Sequence, residues 1–492
     1  MLRRNFLKSF GLAGAAFSAP AIIAHAAERS LATGLTLKGS VLGNGSGIAG
    51  VAVTDGYSVT TTDKKGNYTL AAHSAAEFVY ISVPAGYAFP NDKGITRFYK
   101  PITQKEGSFT ANFSLEKLAT DDTKHNFVVW ADTQMISEKD AVLLKTQSAP
   151  DLQQLVASYP KGTLFHGIGC GDLVWDHFEL FDDYREAVHI AGVPFFNVIG
   201  NHDMDLDGRS DETSSVTFKN QFGPTYYSFN RGKVHYIVLD NVFFVGTAKK
   251  YIGYLTETQL RWLEQDLALI KPGSTVVVNN HIPTDTGYMR RNKLAEEEMG
   301  GTVANRNKLY KMLEPFKTHI MSGHTHVNEK WEKDNLIEHI HGTVCGAWWT
   351  GPVCSDGTPN GYGVYEVDGD DIRWYYKSTG KDKNHQLRIY NKGKLATAPE
   401  EIVANVWNWD PKWKIEWWED DAAKGIMEQR IEKDPWAIEL YAGPELPQKH
   451  KFVDPTLTDH LFFAKPSPGV KKITVKATDR FGNVFTENLQ LT

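Results

Sequence analysis

The chain has 492 residues, of which 41% are hydrophobic and 23% charged, with a formal net charge of −6. That length exceeds one ordinary hydrophobic core and predicts two or three domains, and the composition excludes a disordered or fibrous chain. The mild negative charge argues against a nucleic-acid partner, because a phosphate backbone selects a basic face.

Residues 1–27 read as a targeting segment. Arg3-Arg4 and Asn5-Phe6-Leu7-Lys8 precede an apolar stretch at 10–23, and Ala24-His25-Ala26 offers a small-x-small cleavage site. The paired arginines resemble a twin-arginine signal, although Leu2 stands where such signals carry a hydroxyl residue. A Sec-type or membrane-anchored segment is the alternative. The expectation is an exported, periplasmic protein whose mature form has no transmembrane helix, since no later apolar run reaches roughly 18 residues. The three cysteines, Cys170, Cys345 and Cys354, form no zinc-type pair. Cys345 and Cys354 are close enough in sequence to pair in an oxidising compartment or to remain two thiols.

Between 30 and 118 the chain is rich in Gly, Thr, Val and Ser, with short alternating runs at 35–41, 51–54, 57–62, 68–71, 78–83 and 108–115, which predicts an all-β sandwich. From 122 to 380 the style changes. Apolar strands at 127–131, 163–168, 195–199, 235–239, 275–278 and 320–321 alternate with amphipathic helices at 178–190, 259–270 and 306–316, so the fold class is α/β. Strands at 363–367 and 372–376 are expected to complete a second sheet of the same domain. From 381 to 492 the chain turns polar and Trp-rich, with alternating runs at 472–477 and 484–492, and predicts a mainly β C-terminal domain.

In α/β sheets ligands gather at the carboxyl ends of strands. Five strand ends here carry chemistry: Asp132 and Gln134; Gly171 and Asp172; Gly200, Asn201, His202 and Asp203; Asn280 and His281; Gly323, His324 and His326. One Asp at a strand end is ordinarily a turn or a helix cap, and one His an ordinary buried or surface residue. Five together on one edge describe a site. Oxygen and nitrogen donors without thiolate suit Mn, Fe or Zn rather than an iron–sulfur cluster, and one central carboxylate suffices to bridge two cations.

This order of motifs resembles the calcineurin-like metallophosphoesterases over about residues 124–380, and the flanking segments resemble its bacterial exported subgroup with N- and C-terminal accessory domains. The resemblance implies a β-sandwich core flanked by helices and two divalent metal ions, Mn, Fe or Zn. It implies that Asp132, Gln134, Asp172 and His326 hold one metal, and that Asp172 bridges to a second held by Asn201, His281 and His324. His202 would act on the scissile phosphate, with Asp203 orienting it. Gln134 departs from the family pattern, which has His there, and implies a looser first site.

The implied activity is metal-dependent hydrolysis of a phosphomonoester or phosphodiester in a phosphorylated small molecule, a lipid headgroup or a glycan. A non-catalytic envelope or glycan-binding protein on the same scaffold and a protein Ser/Thr phosphatase are the competing readings. Further candidates are weaker. Asp176 and His177 suit a helix start or substrate contact. Arg290-Arg291 suit a phosphate clamp or a solvated pair. His339, His341 and Trp348-Trp349 suit sheet packing, and Cys170 suits simple burial.

Overall fold

A computed structural model describes residues 34–247, 250–296, 299–447 and 449–491; the segment expected at 1–27 lies outside the described residues. The Val-, Ile- and Phe-rich runs form two sheets packed face to face. The first contains, in spatial order, Asp371–Ser378, Gly361–Asp368, Lys124–Trp130, Phe165–Cys170, Phe195–Val198, Ile95–Thr96 and Asn91–Asp92. The second contains Tyr227–Arg231, Val234–Val238, Thr275–Asn279, Lys317–Ser322, Leu336–Ile340 and Glu329–Lys333. The central strands of both are parallel.

Alternate residues of these strands face opposite ways, and both faces are buried. Phe127, Val129, Phe196, Tyr236, Val238 and Val277 pack between the sheets. Val128, Trp130, Ile237, Val278 and Ile320 pack outward beneath the helices. Burial on both sides explains why the strands read as continuous apolar runs. Helices Phe181–Ala191, Glu257–Leu267 and Arg306–Leu313 lie near their expected positions, and Thr256 caps the second by accepting from the Gln259 amide. A further helical stretch, 138–158, is absent from the sequence reading. Its middle turn, Leu144–Ser148, is π-helical and ends two residues before Pro150. Proline lacks an amide donor, and a widened turn accommodates that gap.

The N-terminal segment forms two small sheets. Leu35–Gly43 pairs with Asn67–Ala71, Gly107–Thr110 and Phe113–Leu115, while Ala52–Thr54 lies between Val59–Thr61 and Phe78–Ile81. The run expected at 108–115 is thus two strands. This segment is not a separate packing unit. Ile95–Thr96 joins the first central sheet beside Phe195, and Phe89 plugs the sandwich interior. Its ring sits 4.8 Å from Phe196 and 5.3 Å from Phe229, with the Arg231 guanidinium 3.8 Å over its face.

The C-terminal segment is a second sandwich. One sheet holds Arg388–Tyr390, Ile402–Asn405, Leu457–Ala464 and Glu428–Lys433; the other holds Ala422–Ile426, Lys414–Glu419, Lys472–Thr478 and Val484–Gln490. Trp413 and Trp417 belong to its core. It is fastened to the central two-sheet unit through Asp356, whose carboxylate accepts from the Asn328 amide at 2.8 Å and meets His460 at 3.1 Å. Among the described residues no helix is long and apolar enough to cross a membrane. All three cysteines are buried thiols, and Cys345 and Cys354 share the Thr343 hydroxyl instead of a bond to each other.

Because Phe89 joins two hydrophobic regions, Phe89→Ala is expected to lower stability by roughly 3–5 kcal/mol in urea titration. Both halves should unfold in one transition. An N-terminal transition that separates from the rest in the unmutated protein would contradict the shared core.

Candidate metal centre

The central strands deliver their last residues to one point. The strand expected at 163–168 runs instead over Phe165–Cys170, so Gly171 and Asp172 follow it immediately. Asp132, Gln134, Asp172, His324 and His326 all have positive φ, as do Asp176, Trp348 and Trp349 beside them, with values from 37° to 69°. Left-handed backbone costs a non-glycine residue on the order of 1 kcal/mol or more, and these eight make up most of the fourteen such residues among those described. Only Gly171 of the three adjacent glycines shares that conformation. Gly200 and Gly323 are needed for close approach: a Cβ would overlap Asp172 at the first and the Asp132 carboxylate at the second.

The seven expected ligands converge. The donor atoms of Asp172, His281 and His324 lie within 4.8 Å of one another. His281 Nδ1 donates to the Cys170 carbonyl at 3.0 Å, which leaves Nε2 as a bare acceptor. That Nε2 faces Asn201 Oδ1 at 3.1 Å, His324 Nδ1 at 3.2 Å and Asp172 Oδ1 at 3.3 Å. His324 Nε2 in turn donates to the Gly300 carbonyl at 3.1 Å. With both back nitrogens donating, the neutral imidazoles present only acceptors to the centre, and a positive charge there, a metal ion or a proton on His281, holds the group together at these distances.

The other half is built similarly. His326 Nδ1 donates to the Gly346 carbonyl at 3.3 Å and its Nε2 lies 3.5 Å from Asp132 Oδ1. Gln134 Nε2 donates to Asp172 Oδ2 at 3.1 Å, while Gln134 Oε1 is buried without a partner among the described residues. An orphaned buried oxygen is costly, and a metal ion is a partner that relieves it. Asp172 therefore touches both halves. Burial disfavours its charge, but the imidazoles of His281 and His202 outweigh that and hold its carboxyl well below the usual range. The donor set fits two divalent cations.

His202 stands beside this group, its amide donating to Asp172 Oδ1 at 2.9 Å. Its orientation departs from expectation. Asp203 does not touch the imidazole. It is fully buried, and its carboxylate accepts from the amides of Gly200, Leu173 and Val174 at 2.9–3.1 Å, locking the two ligand loops together. Burial and the nearby Asp172 push its carboxyl up to about 7. The partner of His202 Nδ1 is Asp176 Oδ1 at 2.9 Å, a pairing that sequence spacing did not reveal because Asp176 belongs to another strand's loop. Nε2 is then the nitrogen left to meet a substrate. Burial works against a charged imidazole at His202, yet the carboxylates of Asp172 and Asp176 raise its pKa above the ordinary value.

The remaining candidates fall on both sides. Trp348 stacks on His326 at 4.2 Å, and Trp349 Nε1 donates to the Thr133 carbonyl at 2.8 Å, so both reach the site. His341 is spent on Ser322 and Tyr365, and the Nε2 of His339 meets His319. Arg290 pairs with Asp459, and Arg291 with Glu329 and Asp459. His177 pairs with Glu179, and Cys170 is buried with its thiol on the Asn280 carbonyl. Sequence reasoning missed Trp175, His450 and Phe452. Trp175 lies 5.3 Å from His202 and 5.4 Å from His450, and Phe452 covers Trp348 at 5.3 Å. No local motif marks His450 or Phe452, since only the docking of the C-terminal sandwich brings them here.

Comparison with known proteins agrees with this geometry. Three family models match in succession: the N terminal of calcineurin-like phosphoesterase at residues 35–118, calcineurin-like phosphoesterase at 125–328, and its C terminal at 338–485. Purple acid phosphatase 15 of Arabidopsis thaliana is 24% identical over 290 residues, which is 54% of this chain and 46% of that protein. The chain thus spans about half the length of the curated relative it matches. Similar solved structures include purple acid phosphatase PPD1 from yellow lupin (16% identity, TM-score 0.37, covering 52% of this chain and 51% of that one). Another is a 5'-nucleotidase from Candida albicans (12% identity, TM-score 0.31, covering 53% and 51%).

Asp172 touches both halves and Gln134 only one. Elemental analysis of metal-loaded protein is expected to show Asp172→Ala losing both equivalents, and Gln134→Ala retaining about one. Equal losses in the two variants would contradict the shared role of Asp172.

Proposed function

We propose that this chain, which belongs to the calcineurin-like phosphoesterase family, is an exported hydrolase of phosphoric esters working with two divalent metal ions, Mn, Fe or Zn. The observation that carries the reading is the cluster of carboxylate, amide and imidazole groups around Asp172 with His202 held beside it. Asp132, Gln134, Asp172 and His326 would hold one ion, and Asp172, Asn201, His281 and His324 the other. When bound, such ions would supply Lewis acidity to the phosphoryl group.

The protein's own groups do the rest. His281, His324 and His326 each anchor one nitrogen on a backbone carbonyl and so present the other in a fixed direction. Asp203 fixes the loops that carry Asp172 and Asn201. Asp176 accepts the Nδ1 proton of His202, so the protonated imidazole offers its Nε2–H to the departing ester oxygen. Trp175, Trp348 and Phe452 form an aromatic cluster on that side. Export rests on Arg3-Arg4 and the apolar stretch behind them.

The tests are direct. Metal-loaded protein is expected to hydrolyse p-nitrophenyl or bis-p-nitrophenyl phosphate, with turnover lost on chelation and restored by Mn. Absence of metal-dependent turnover on both would sink the enzyme reading and favour a binding protein. His202→Ala is expected to lower kcat by about 10²–10⁴-fold with metal content unchanged. Asp176→Asn should lower kcat in the same direction but less, whereas an unchanged kcat would remove Asp176 from its positioning role.

A further inference from the structure

A cavity of about 210 Å³ opens beside His324, and none of Trp175, Trp348 and Phe452 lines it. Met289, Val327 and Leu457 supply its apolar lining, and His324 itself forms part of its wall. Thr286, Tyr288, Thr302 and Thr456 add hydroxyls to a mainly apolar lining, and two further polar groups stand out. Thr325 Oγ1 and Arg291 Nε are buried and have no hydrogen-bond partner among the described residues. Arg291 is only 6% exposed, and its terminal nitrogens are already taken by Glu329 at 2.9 Å and Asp459 at 3.5 Å. Two carboxylates cancel its charge, so the cavity does not select an anion. What it offers is an apolar volume with two unspent donors, and a buried donor left unmade is costly. The chemistry that satisfies such a site is an uncharged organic group bearing an oxygen acceptor.

We infer that this cavity seats the second ester arm of a phosphodiester, an apolar alcohol residue carrying a neutral oxygen acceptor. The inference rests on the hydrolase reading above and narrows its substrate. A monoester has one organic group, the one that departs on the His202 side. A diester has a second, which must lie elsewhere around phosphorus, and the cavity adjoins the centre through a different residue, His324. In the reaction the water oxygen bonds to phosphorus and the bond to the leaving alcohol breaks. That alcohol departs with a proton, and the arm in the cavity leaves as a phosphomonoester. Leu457 opens the strand Leu457–Ala464 of the C-terminal sandwich, so the accessory domain completes the substrate site.

The test uses full-length, metal-loaded protein and three probes: bis-p-nitrophenyl phosphate, methyl p-nitrophenyl phosphate and p-nitrophenyl phosphate. The unmutated protein is expected to have its highest kcat/KM on the bis-aryl diester, because only that probe fills the cavity. Leu457→Trp and Met289→Trp, which fill it from two different segments, should each lower the ratio of bis-aryl diester to monoester kcat/KM by about tenfold or more. An active wild-type protein that prefers the monoester, or variants in which that ratio does not move, would overturn the inference while leaving the hydrolase reading intact. Wild-type protein inert towards all three probes would overturn the hydrolase reading itself, and the inference with it.

Discussion

Two imidazole nitrogens, His281 Nε2 and His324 Nδ1, face each other at 3.2 Å with a carboxylate and an amide oxygen beside them. Once the back nitrogens are tied to carbonyls, neutral imidazoles offer that group acceptors alone. Such a cluster needs a positive charge at its centre, and the surrounding structure must hold its members in place to receive one. The protein does this with backbone rather than with side-chain flexibility. Five of the seven expected ligands, all but Asn201 and His281, sit in left-handed conformations near the ends of strands that are buried on both faces. Local strain of this kind persists only where packing over-determines it, and the two-sheet core provides that packing.

The second level of support is polar. Asp203 spends its carboxylate on three backbone amides and fastens the Asp172 loop to the Asn201 loop. Each metal-facing histidine is anchored at its far nitrogen. These are bonds from or to the main chain, which ties ligand geometry to the register of the strands. A ligand therefore moves only if a strand end moves.

The flanking segments act at a third level. The N-terminal one closes the sandwich interior with Phe89 and extends the first sheet by two short strands, so it supports the site from behind. The C-terminal one reaches the front. Its His450 and Phe452 complete the aromatic wall near His202, and its Leu457 lines the cavity near His324. The Asp356 junction with Asn328 and His460 sets that approach.

The amino-acid sequence by itself determined the strand ends, the set of seven candidate ligands and His202. These are local features: an apolar run of period two or a continuous buried run, followed at once by Asp, Asn or His, is visible without coordinates. It also marked Gln134 as the odd member. It did not show that Gln134 binds Asp172 through one amide atom and leaves the other bare, because an amide's two ends are distinguished only by their neighbours. Tertiary structure alone decided which carboxylate serves His202. Asp203 is next to it in the chain, but adjacent residues on a tight loop point in different directions, and Asp176 arrives from another strand. The same holds for Trp175, His450, Phe452 and the cavity. Their contacts join residues far apart in the chain, and no spacing rule encodes the docking of one folded unit on another.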